Sequence, residues 1–210
     1  MSGESWGRAV FDRLYEADPD PWRFDSSPYE AAKYADTLDA LGGRGFESGL
    51  ELGCGNGAMT VRLARSCAAL LAIDIAPAAI ALASARCAGL DHVGLRAASL
   101  PEQFASVVQG TFDLVVVSEL LYFLSGPDID RLADSVLAVL RPAGRLVLVN
   151  WTGETDTPCT GDQAADRFIA AMLRQDRFDA GGHRRDRYRL DLLTRCDRRT
   201  VRGRTGLAPL

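Results

Sequence analysis

The fold of this chain is decided by a glycine-rich loop, which reads Glu51-Leu52-Gly53-Cys54-Gly55-Asn56-Gly57-Ala58. The loop follows an apolar run of strand length, 49–52, and opens a segment of helical spacing, 58–65. A ligand at such a junction meets backbone N–H groups that lack helical partners, and glycines let it approach the backbone closely. The pattern Gly-x-Gly-x-x-Ala also matches the dinucleotide-binding fingerprint. The loop therefore predicts a nucleotide-binding crevice and leaves the nucleotide open.

Strand-like and helical segments alternate along most of the chain. Apolar runs of strand length lie at 49–52, 69–73, 93–96, 114–117 and 145–149, and segments of helical spacing lie at 27–41, 58–65, 77–88 and 128–140. Strands that alternate with helices of this size predict an α/β fold, in which helices cover both faces of a parallel sheet. After residue 151 we expect a helix at 164–174 and a strand at 187–193 that buries one face.

The two ends of the chain differ from this alternating core. Residues 1–45 are aromatic and acidic and contain the break Asp18-Pro19-Asp20-Pro21-Trp22. Because the predicted sheet is complete without them, we expect 1–45 to form a helical lid over a domain at 46–195. Nine arginines fall between Arg184 and Arg204, without the interleaved aromatic residues that stack on bases. We interpret them as the solvated flanks of a strand and a flexible arginine-rich tail, 196–210.

Composition and charge limit the classes of function. The 210 residues are 47% hydrophobic and 25% charged with a net charge of −4, the balance of a single globular domain. This charge argues against a general nucleic-acid or membrane-surface binder, and no apolar run approaches the ~20 residues of a bilayer span. Five cysteines without the spacing of zinc ligands predict neither disulfides nor a metal site. We expect a cytoplasmic protein with His92 and His183 in solvent, and the oligomeric state stays open.

Two carboxylates narrow the choice of nucleotide. Glu51 lies two residues before Gly53 at the end of the first strand, where it would repel a pyrophosphate and suit an ammonium or sulfonium group. Asp74 ends the second strand, 21 residues after Gly53, which is close to the spacing of an acid that binds ribose hydroxyls. Both features fit S-adenosylmethionine, which has a ribose and an α-ammonium group but no phosphate.

Four motifs, in their order and spacing, resemble the class I S-adenosylmethionine-dependent methyltransferases over about residues 46–151: ELGCGNGAMT, LLAIDIAP, FDLVVVSELLYFL and LRPAGRLVLVN. A narrower resemblance, over about residues 10–195, is to the nodulation protein S family and rests on DPWRF, YEAAKYADTL and SELLYFL. The class implies a Rossmann-like, doubly wound, mostly parallel seven-stranded sheet with a C-terminal antiparallel hairpin. The best-known members of the narrower family N-methylate the deacetylated amino sugar at the end of a chitooligosaccharide.

The resemblance implies an enzyme that transfers a methyl group to a hydroxyl or amino group of a saccharide or amino sugar. A natural-product small-molecule O- or N-methyltransferase of the same fold stays open as an alternative. An NAD-dependent oxidoreductase is a weaker alternative, because Glu51 opposes a pyrophosphate and the chain has no room for a separate substrate domain. A non-catalytic module that binds S-adenosylmethionine is the last alternative.

The resemblance also assigns cofactor contacts around the crevice. They are Glu51, Gly53, Gly55 and Gly57 at the methionine end, Asp74 at the ribose, Ile75, Ser99 and Leu100 at the adenine, and Ser118 after the fourth strand. Ser99 stands where the family usually has an acid, so Ser99 or the backbone would meet the adenine amino group. Trp22 and Tyr29 would close over the methionine end, and Lys33 would pair with the cofactor carboxylate. The alternative for Lys33 is a position in solvent on a helix packed at the sheet edge.

Glu119 and Tyr122 are the candidate catalytic residues. They follow the fourth strand, where the family places the methyl group and the incoming nucleophile. A carboxylate in an apolar crevice has a raised pKa, which suits it to take the proton of a hydroxyl acceptor. The alternatives are that Glu119 holds the cofactor or a backbone amide, and that Tyr122 belongs to the core instead of orienting the acceptor.

Overall fold

The structure, a computed structural model, describes residues 3–197. Its helices are α1 (Arg8–Ala17), α2 (Pro28–Ala40), α3 (Thr60–Leu63), α4 (Pro77–Arg86), α5 (Phe104–Val107), α6 (Gly126–Val139) and α7 (Gly161–Gln175), with a 3-10 helix at Leu121–Phe123. Its strands are β1 (Phe46–Leu52), β2 (Cys67–Asp74), β3 (Val93–Ala97), β4 (Phe112–Ser118), β5 (Leu140–Trp151), β6 (Phe178–Arg184) and β7 (Tyr188–Arg195). Between residues 3 and 197, no helix is both long enough and apolar enough to cross a bilayer.

The seven strands form one sheet in the order β3-β2-β1-β4-β5-β7-β6. Strands β1 to β5 pair in parallel, and β7 runs antiparallel between β5 and β6. The predicted doubly wound, mostly parallel, seven-stranded sheet is therefore confirmed. The strand order reverses between β1 and β4, and in open α/β sheets a ligand binds outside the carboxyl ends of the strands at such a reversal.

Several elements differ from the sequence prediction. The helix expected at 58–65 is the short α3, and β5 extends well beyond the predicted 145–149. Strand β6, which completes the C-terminal hairpin, was not predicted, because its sequence FDAGGHR has no apolar alternation and lies at the exposed edge of the sheet. Strand β6 is held by backbone hydrogen bonds to β7, and backbone pairing at a sheet edge does not require a particular pattern of side chains.

The centre of the sheet is buried on both faces. Val115 and Val117 of β4 pack into one hydrophobic cluster, whereas Leu114 and Val116 pack into the other. Successive side chains of a strand point to opposite faces, so a continuous apolar run is what a doubly covered strand requires. This packing fixes the carboxyl end of β4 firmly beside that of β1.

The N-terminal segment packs on both sides of this edge. Phe11 and Tyr15 of α1 join the first cluster, and Tyr34 of α2 joins the second. Before α1, the backbone N–H of Trp6 donates to the carbonyl oxygen of Phe123 at 2.8 Å. These contacts bring the segment that we expected to act as a lid against the ends of the strands.

The hairpin of β6 and β7 carries the described part of the arginine-rich segment. Arg184 and Arg189 both pair with Asp162 of α7, so these two arginines are neutralised by a neighbouring element. His92 is exposed as expected. The expectation for His183 is wrong, because its Nε2 lies 2.6 Å from Oδ2 of Asp36 on α2. The predicted flexible tail at 196–210 lies, beyond residue 197, outside the described residues.

Candidate active site

A cavity of about 580 Å³ lies at the carboxyl ends of β1, β2 and β4. One side is formed by Gly53, Asp74 and Glu119, each of which follows or ends one of these strands. The other side comes from the N-terminal segment and from the stretch after β5, and many of its residues are aromatic: Trp6, Tyr15, Trp22, Phe24, Tyr29 and Trp151. A cavity of this volume, mostly apolar with a few polar groups, suits a small-molecule ligand.

The glycines of the loop serve two different purposes. Gly53 and Gly55 line the cavity with φ values of 85° and 52°, so both occupy left-handed conformations that favour glycine. A methyl group added at Gly53 would lie 2.8 Å from the carbonyl oxygen of Ser118. Gly57 does not line the cavity; a methyl group there would lie 2.9 Å from Cα of Ala83 on α4. Gly57 thus packs against α4 and not on the cavity wall, and its expected place at the methionine end of the cofactor stays a prediction.

Asp74 is built into the turn that follows β2. Its Oδ2 accepts the N–H of Gly55 at 2.9 Å, and its Oδ1 accepts the N–H of Ala76 at 2.9 Å. Burial raises the pKa of Asp74, and these backbone N–H groups act against that rise. Each carboxylate oxygen keeps a lone pair beyond the backbone bond, so Asp74 still has acceptors to offer on the cavity wall.

The wall next to Asp74 is apolar. Ile75, Ala98 and Leu100 line it. Ser99 does not line the cavity, and its backbone N–H donates to Oε1 of Gln103 at 2.8 Å. Ser99 therefore does not face the cavity, whereas the side chains on either side of it do, from the irregular segment after β3.

Glu51 lies behind the glycine loop. It is 1% exposed, and its Oε2 has no hydrogen-bond partner. Together with Gly53 and Ser118 it lines a small pocket of about 30 Å³ that shares Gly53 with the main cavity. Burial raises the pKa of Glu51 to about 8, while the nearby Thr60 hydroxyl acts against that rise. A buried carboxyl with an unsatisfied oxygen fits a cationic ligand group nearby, and this is the observation on which S-adenosylmethionine fits the site.

Glu119 is the centre of a hydrogen-bond network after β4. Its Oε1 accepts from Nζ of Lys33 at 2.6 Å. Its Oε2 accepts from the hydroxyl of Tyr122 at 2.6 Å and from the backbone N–H of Trp151 at 3.0 Å. The alternative that Glu119 holds a backbone amide is therefore confirmed, while its catalytic role stays a prediction.

The backbone of Glu119 is strained in order to aim this side chain. Its φ of 53° lies in the left-handed region, where a non-glycine residue costs about 1–2 kcal/mol. The N–H of Glu119 donates to the carbonyl oxygen of Val149 on β5 at 2.8 Å, which holds the turn in place. Strained residues cluster at active sites, and Glu119 lies on the cavity wall.

Lys33, the sole lysine of the chain, is buried on α2. Its side chain is 2% exposed and bridges Glu119 and Oε1 of Glu30, which is 2.9 Å away. Burial lowers the pKa of Lys33, the two carboxylates raise it, and the net direction is upward. The solvent-exposed alternative for Lys33 is wrong, because it forms a buried ion pair that also lines the cavity.

Glu30 is the site residue that the sequence prediction missed. It is 7% exposed, it lines the cavity, and its Oε2 has no hydrogen-bond partner. Its position three residues before Lys33 puts both side chains on one helix face, and this spacing was the available signal. The aromatic residue Trp22 is where we expected it, on the cavity wall between Tyr15 and Phe24, with ring centroids 5.6 Å from each.

No group of three or more histidine, cysteine, aspartate or glutamate side chains suitable for a metal ion occurs in the described part of the chain. The ionisable carboxyl and amino groups of the main cavity are Glu30, Lys33, Asp74, Glu119 and Asp156. The cavity therefore carries an excess of acidic groups over basic ones.

The sheet order, the glycine loop and the two carboxylates at the ends of β1 and β2 are the features of a class I S-adenosylmethionine-dependent methyltransferase, and the similarity to the nodulation protein S family shows that this chain is one. The family model for nodulation protein S (NodS) matches residues 8–155. Nodulation protein S of Sinorhizobium fredii (strain NBRC 101917 / NGR234) is 33% identical over 163 residues, which is 76% of this chain and 73% of the relative. The chain belongs to the nodulation protein S family.

Solved structures show the same architecture. The N-methyltransferase NodS from Bradyrhizobium japonicum WM9, in complex with S-adenosyl-L-homocysteine, superposes with a TM-score of 0.74 at 24% identity, over 90% of this chain and 98% of that one. A putative methyltransferase from Pseudomonas syringae superposes with a TM-score of 0.66 at 33% identity, over 80% of this chain and 99% of that one. The NodS structure agrees with this chain in fold, and the Pseudomonas syringae protein agrees with it in both fold and sequence.

Proposed function

We propose that this enzyme transfers the methyl group of S-adenosylmethionine to an amino or hydroxyl group of an amino sugar or another saccharide. The observation that carries the proposal is a single cavity that joins Asp74 to Glu30, Glu119 and Asp156. One end has the groups that suit the cofactor, and the other adds carboxylates and aromatic rings. Aromatic side chains offer flat apolar faces, and an acidic wall attracts a cationic amino sugar.

The residues proposed to hold the cofactor follow from their places on the wall. Asp74 would accept the ribose hydroxyls, Ile75 and Leu100 would pack on the adenine, and the backbone at Gly53 and Gly55 would lie along the methionine end. Glu51, with its free Oε2, and Ser118 would face the ammonium group from behind the loop. Bound there, S-adenosylmethionine supplies an electrophilic methyl carbon on a sulfonium, and the electron pair of the broken carbon–sulfur bond stays on sulfur.

The N-terminal segment is proposed to act as the lid that keeps water from the reacting groups. Trp22 and Phe24 stack at an interplanar angle of 26° on the cavity wall. Tyr29 lies edge-on to Trp151, with ring centroids 5.7 Å apart, so the start of α2 closes the cavity next to Glu119. Exclusion of water strengthens the electrostatic contacts inside such a site.

Lys33 was expected to pair with the cofactor carboxylate, and that role remains a proposal beside its observed ion pairs. Tyr122 is proposed to orient the acceptor, because its hydroxyl already bonds Glu119 at the cavity wall. The cysteines of the chain are free, in keeping with the reducing cytoplasm in which we propose the enzyme works.

The proposal is tested by incubating the enzyme with labelled S-adenosylmethionine and a panel of acceptors. The panel contains chitotetraose with a free amine at its non-reducing end, fully acetylated chitotetraose, monosaccharides, and small phenols and aromatic amines. We expect label in a saccharide, with the free-amine form as the best acceptor. Label only in the aromatic compounds would contradict the saccharide assignment and support the alternative of a natural-product methyltransferase, which the aromatic lining also suits.

A further inference from the structure

We propose that Glu119, Lys33 and Glu30 form a proton relay that carries the proton of the acceptor from the cavity to the buried carboxyl of Glu30. The inference rests on the proposed function, since it concerns the acceptor of the same site. Glu119 alone is poorly suited to store that proton, because its two oxygens already accept three hydrogen bonds. A carboxylate in that state has to give up at least part of this stabilisation when it becomes protonated.

The three side chains all lie on the cavity wall and form a continuous chain of hydrogen bonds from the more exposed Glu119 to the more buried Glu30. The Glu119 side chain is 18% exposed, whereas those of Lys33 and Glu30 are 2% and 9% exposed. Nζ of Lys33 lies 2.6 Å from Oε1 of Glu119 and 2.9 Å from Oε1 of Glu30. Distances of this length allow proton transfer between adjacent groups.

Glu30 is the end of this chain that can keep a proton. Its second oxygen, Oε2, is buried and has no hydrogen-bond partner, so the neutral carboxyl is less costly there than the charged one. Burial also raises the pKa of Glu30, against the opposing effects of Lys33 and of the nearby Tyr34 hydroxyl, and the net direction is upward. The titratable groups that face it are Tyr29, Lys33 and Tyr34 of α2, Glu119 after β4, Tyr122 of the 3-10 helix and, across the small pocket, Glu51 of β1. Arg62 of α3 lies over the ring of Tyr34, 4.9 Å from its centroid.

The relay moves one proton and no electrons. The transfers are concerted: as the acceptor N–H or O–H gives its proton to the carboxylate of Glu119, Glu119 passes a proton to Nζ of Lys33 and Lys33 passes one to Oε1 of Glu30. Lys33 therefore keeps its ammonium charge throughout, as the two carboxylates beside it require. The result is a neutral Glu30, an unchanged Lys33–Glu119 ion pair, and an acceptor whose lone pair is free for the methyl group. After product release the proton on Glu30 returns to solvent by the reverse path.

Two variants separate a relay from a purely structural network. Glu30→Gln keeps the shape of the side chain but cannot take a proton. Lys33→Arg keeps a cation with several donors but cannot give a proton away, since arginine stays protonated in proteins. Glu16→Gln removes an exposed carboxyl of α1 and serves as the matched control.

The experiment measures methylation of free-amine chitotetraose across pH, and S-adenosylhomocysteine affinity and Tm for each variant. We expect Glu30→Gln and Lys33→Arg to lower kcat by about 10²-fold at about pH 6, roughly two units below an amine pKa of about 8. S-Adenosylhomocysteine affinity stays within about 3-fold, and Glu16→Gln behaves as wild type. Because a free amine loses its own proton at high pH, the deficit shrinks about tenfold for each pH unit up to the amine pKa. A structural role predicts a deficit that does not change with pH.

Equal rates for Glu30→Gln and wild type, or a deficit independent of pH, would overturn the relay. If neither variant folds, the proton inventory of the wild type in mixtures of H2O and D2O decides. A curved inventory supports transfer of more than one proton, and a linear one contradicts it. If the wild type methylates only phenols, the proposed function is contradicted. The relay is then tested with the same variants and a phenol acceptor, because a phenol also has to lose a proton.

Discussion

Replacing Lys33 with methionine tests how strongly the buried network ties α2 to the end of β4. The ammonium group contacts Oε1 of Glu30 at 2.9 Å and Oε1 of Glu119 at 2.6 Å, and its side chain is 2% exposed. The variant leaves two carboxylates facing each other without a cation. Removing one partner of a buried ion pair costs about 3–5 kcal/mol. For a protein of this size, this loss corresponds to a fall in Tm of roughly 6–20 °C.

The loss should depend on pH. Burial already raises the pKa of Glu30 in the wild type, and the removal of Lys33 raises it further. A carboxyl with a higher pKa in the folded than in the unfolded state binds its proton more tightly when folded. Its contribution to stability is therefore greatest at low pH and falls as the pH rises from the usual glutamate range to the folded-state pKa. Lys33→Met should lose more stability at about pH 8 than at about pH 5.

The assay is guanidinium denaturation and calorimetry of Lys33→Met and wild type at both pH values. Arg131→Met is the matched control, because it removes an exposed cation that also contacts two carboxylates, Asp128 and Glu102. Surface pairs of this kind contribute little, so the control should stay close to wild type. A Lys33→Met variant as stable as the control, or equally destabilised at both pH values, would refute the reasoning.

Three further predictions concern the cofactor side. Asp74→Ala should weaken S-adenosylhomocysteine binding by about 1–3 kcal/mol in calorimetry, with Asp91→Ala, an exposed aspartate, as control; unchanged affinity would show that Asp74 does not hold the ribose. Gly57→Ala should lower the free energy of unfolding by about 1–3 kcal/mol more than Gly89→Ala. Both glycines have positive φ, but only at Gly57 does the new methyl group meet Ala83. Equal losses in the two variants would show that Gly57 is not needed for packing against α4. S-Adenosylhomocysteine affinity should rise with pH up to the Glu51 pKa of about 8, because a cationic ligand favours the ionised carboxyl and binding releases its proton. Glu51→Gln should abolish this pH dependence, and a pH dependence that persists in the variant would belong to another group.

Most of the sheet was predictable because strand and helix periods alternate clearly in the sequence. The apolar run of β4 and the glycine loop gave the central strand and the ligand edge. Strand β6 was not predictable, because Gly181 and Gly182 interrupt any side-chain pattern and its place depends on pairing with β7. The extension of β5 to Leu140 was hidden by Pro142, which normally argues against a strand interior.

The sequence predicted the site residues that lie in local motifs after strands. It did not predict contacts between residues that are far apart in the chain. Asp74, Ile75 and Leu100 lie on the cavity wall as their positions after strands suggested. Contact between Lys33 and Glu119 joins residues 86 positions apart, and no pattern in the sequence indicates it. The same holds for the orphaned oxygen of Glu30, which results from the burial of α2 and not from its own sequence.

The most direct measurement is a calorimetric titration of the wild-type protein with S-adenosylhomocysteine and, separately, with NAD. We predict that S-adenosylhomocysteine binds with a Kd on the order of micromolar. At a ligand concentration of about one hundred times Kd, it should raise the free energy of unfolding by about 2.7 kcal/mol and therefore raise Tm. NAD should give neither heat of binding nor a shift in Tm, because its pyrophosphate would have to lie at the glycine loop, beside Asp74 and with the buried carboxyl of Glu51 behind the loop. Binding of NAD, with no response to S-adenosylhomocysteine, would contradict the assignment of this cavity to a methyltransferase.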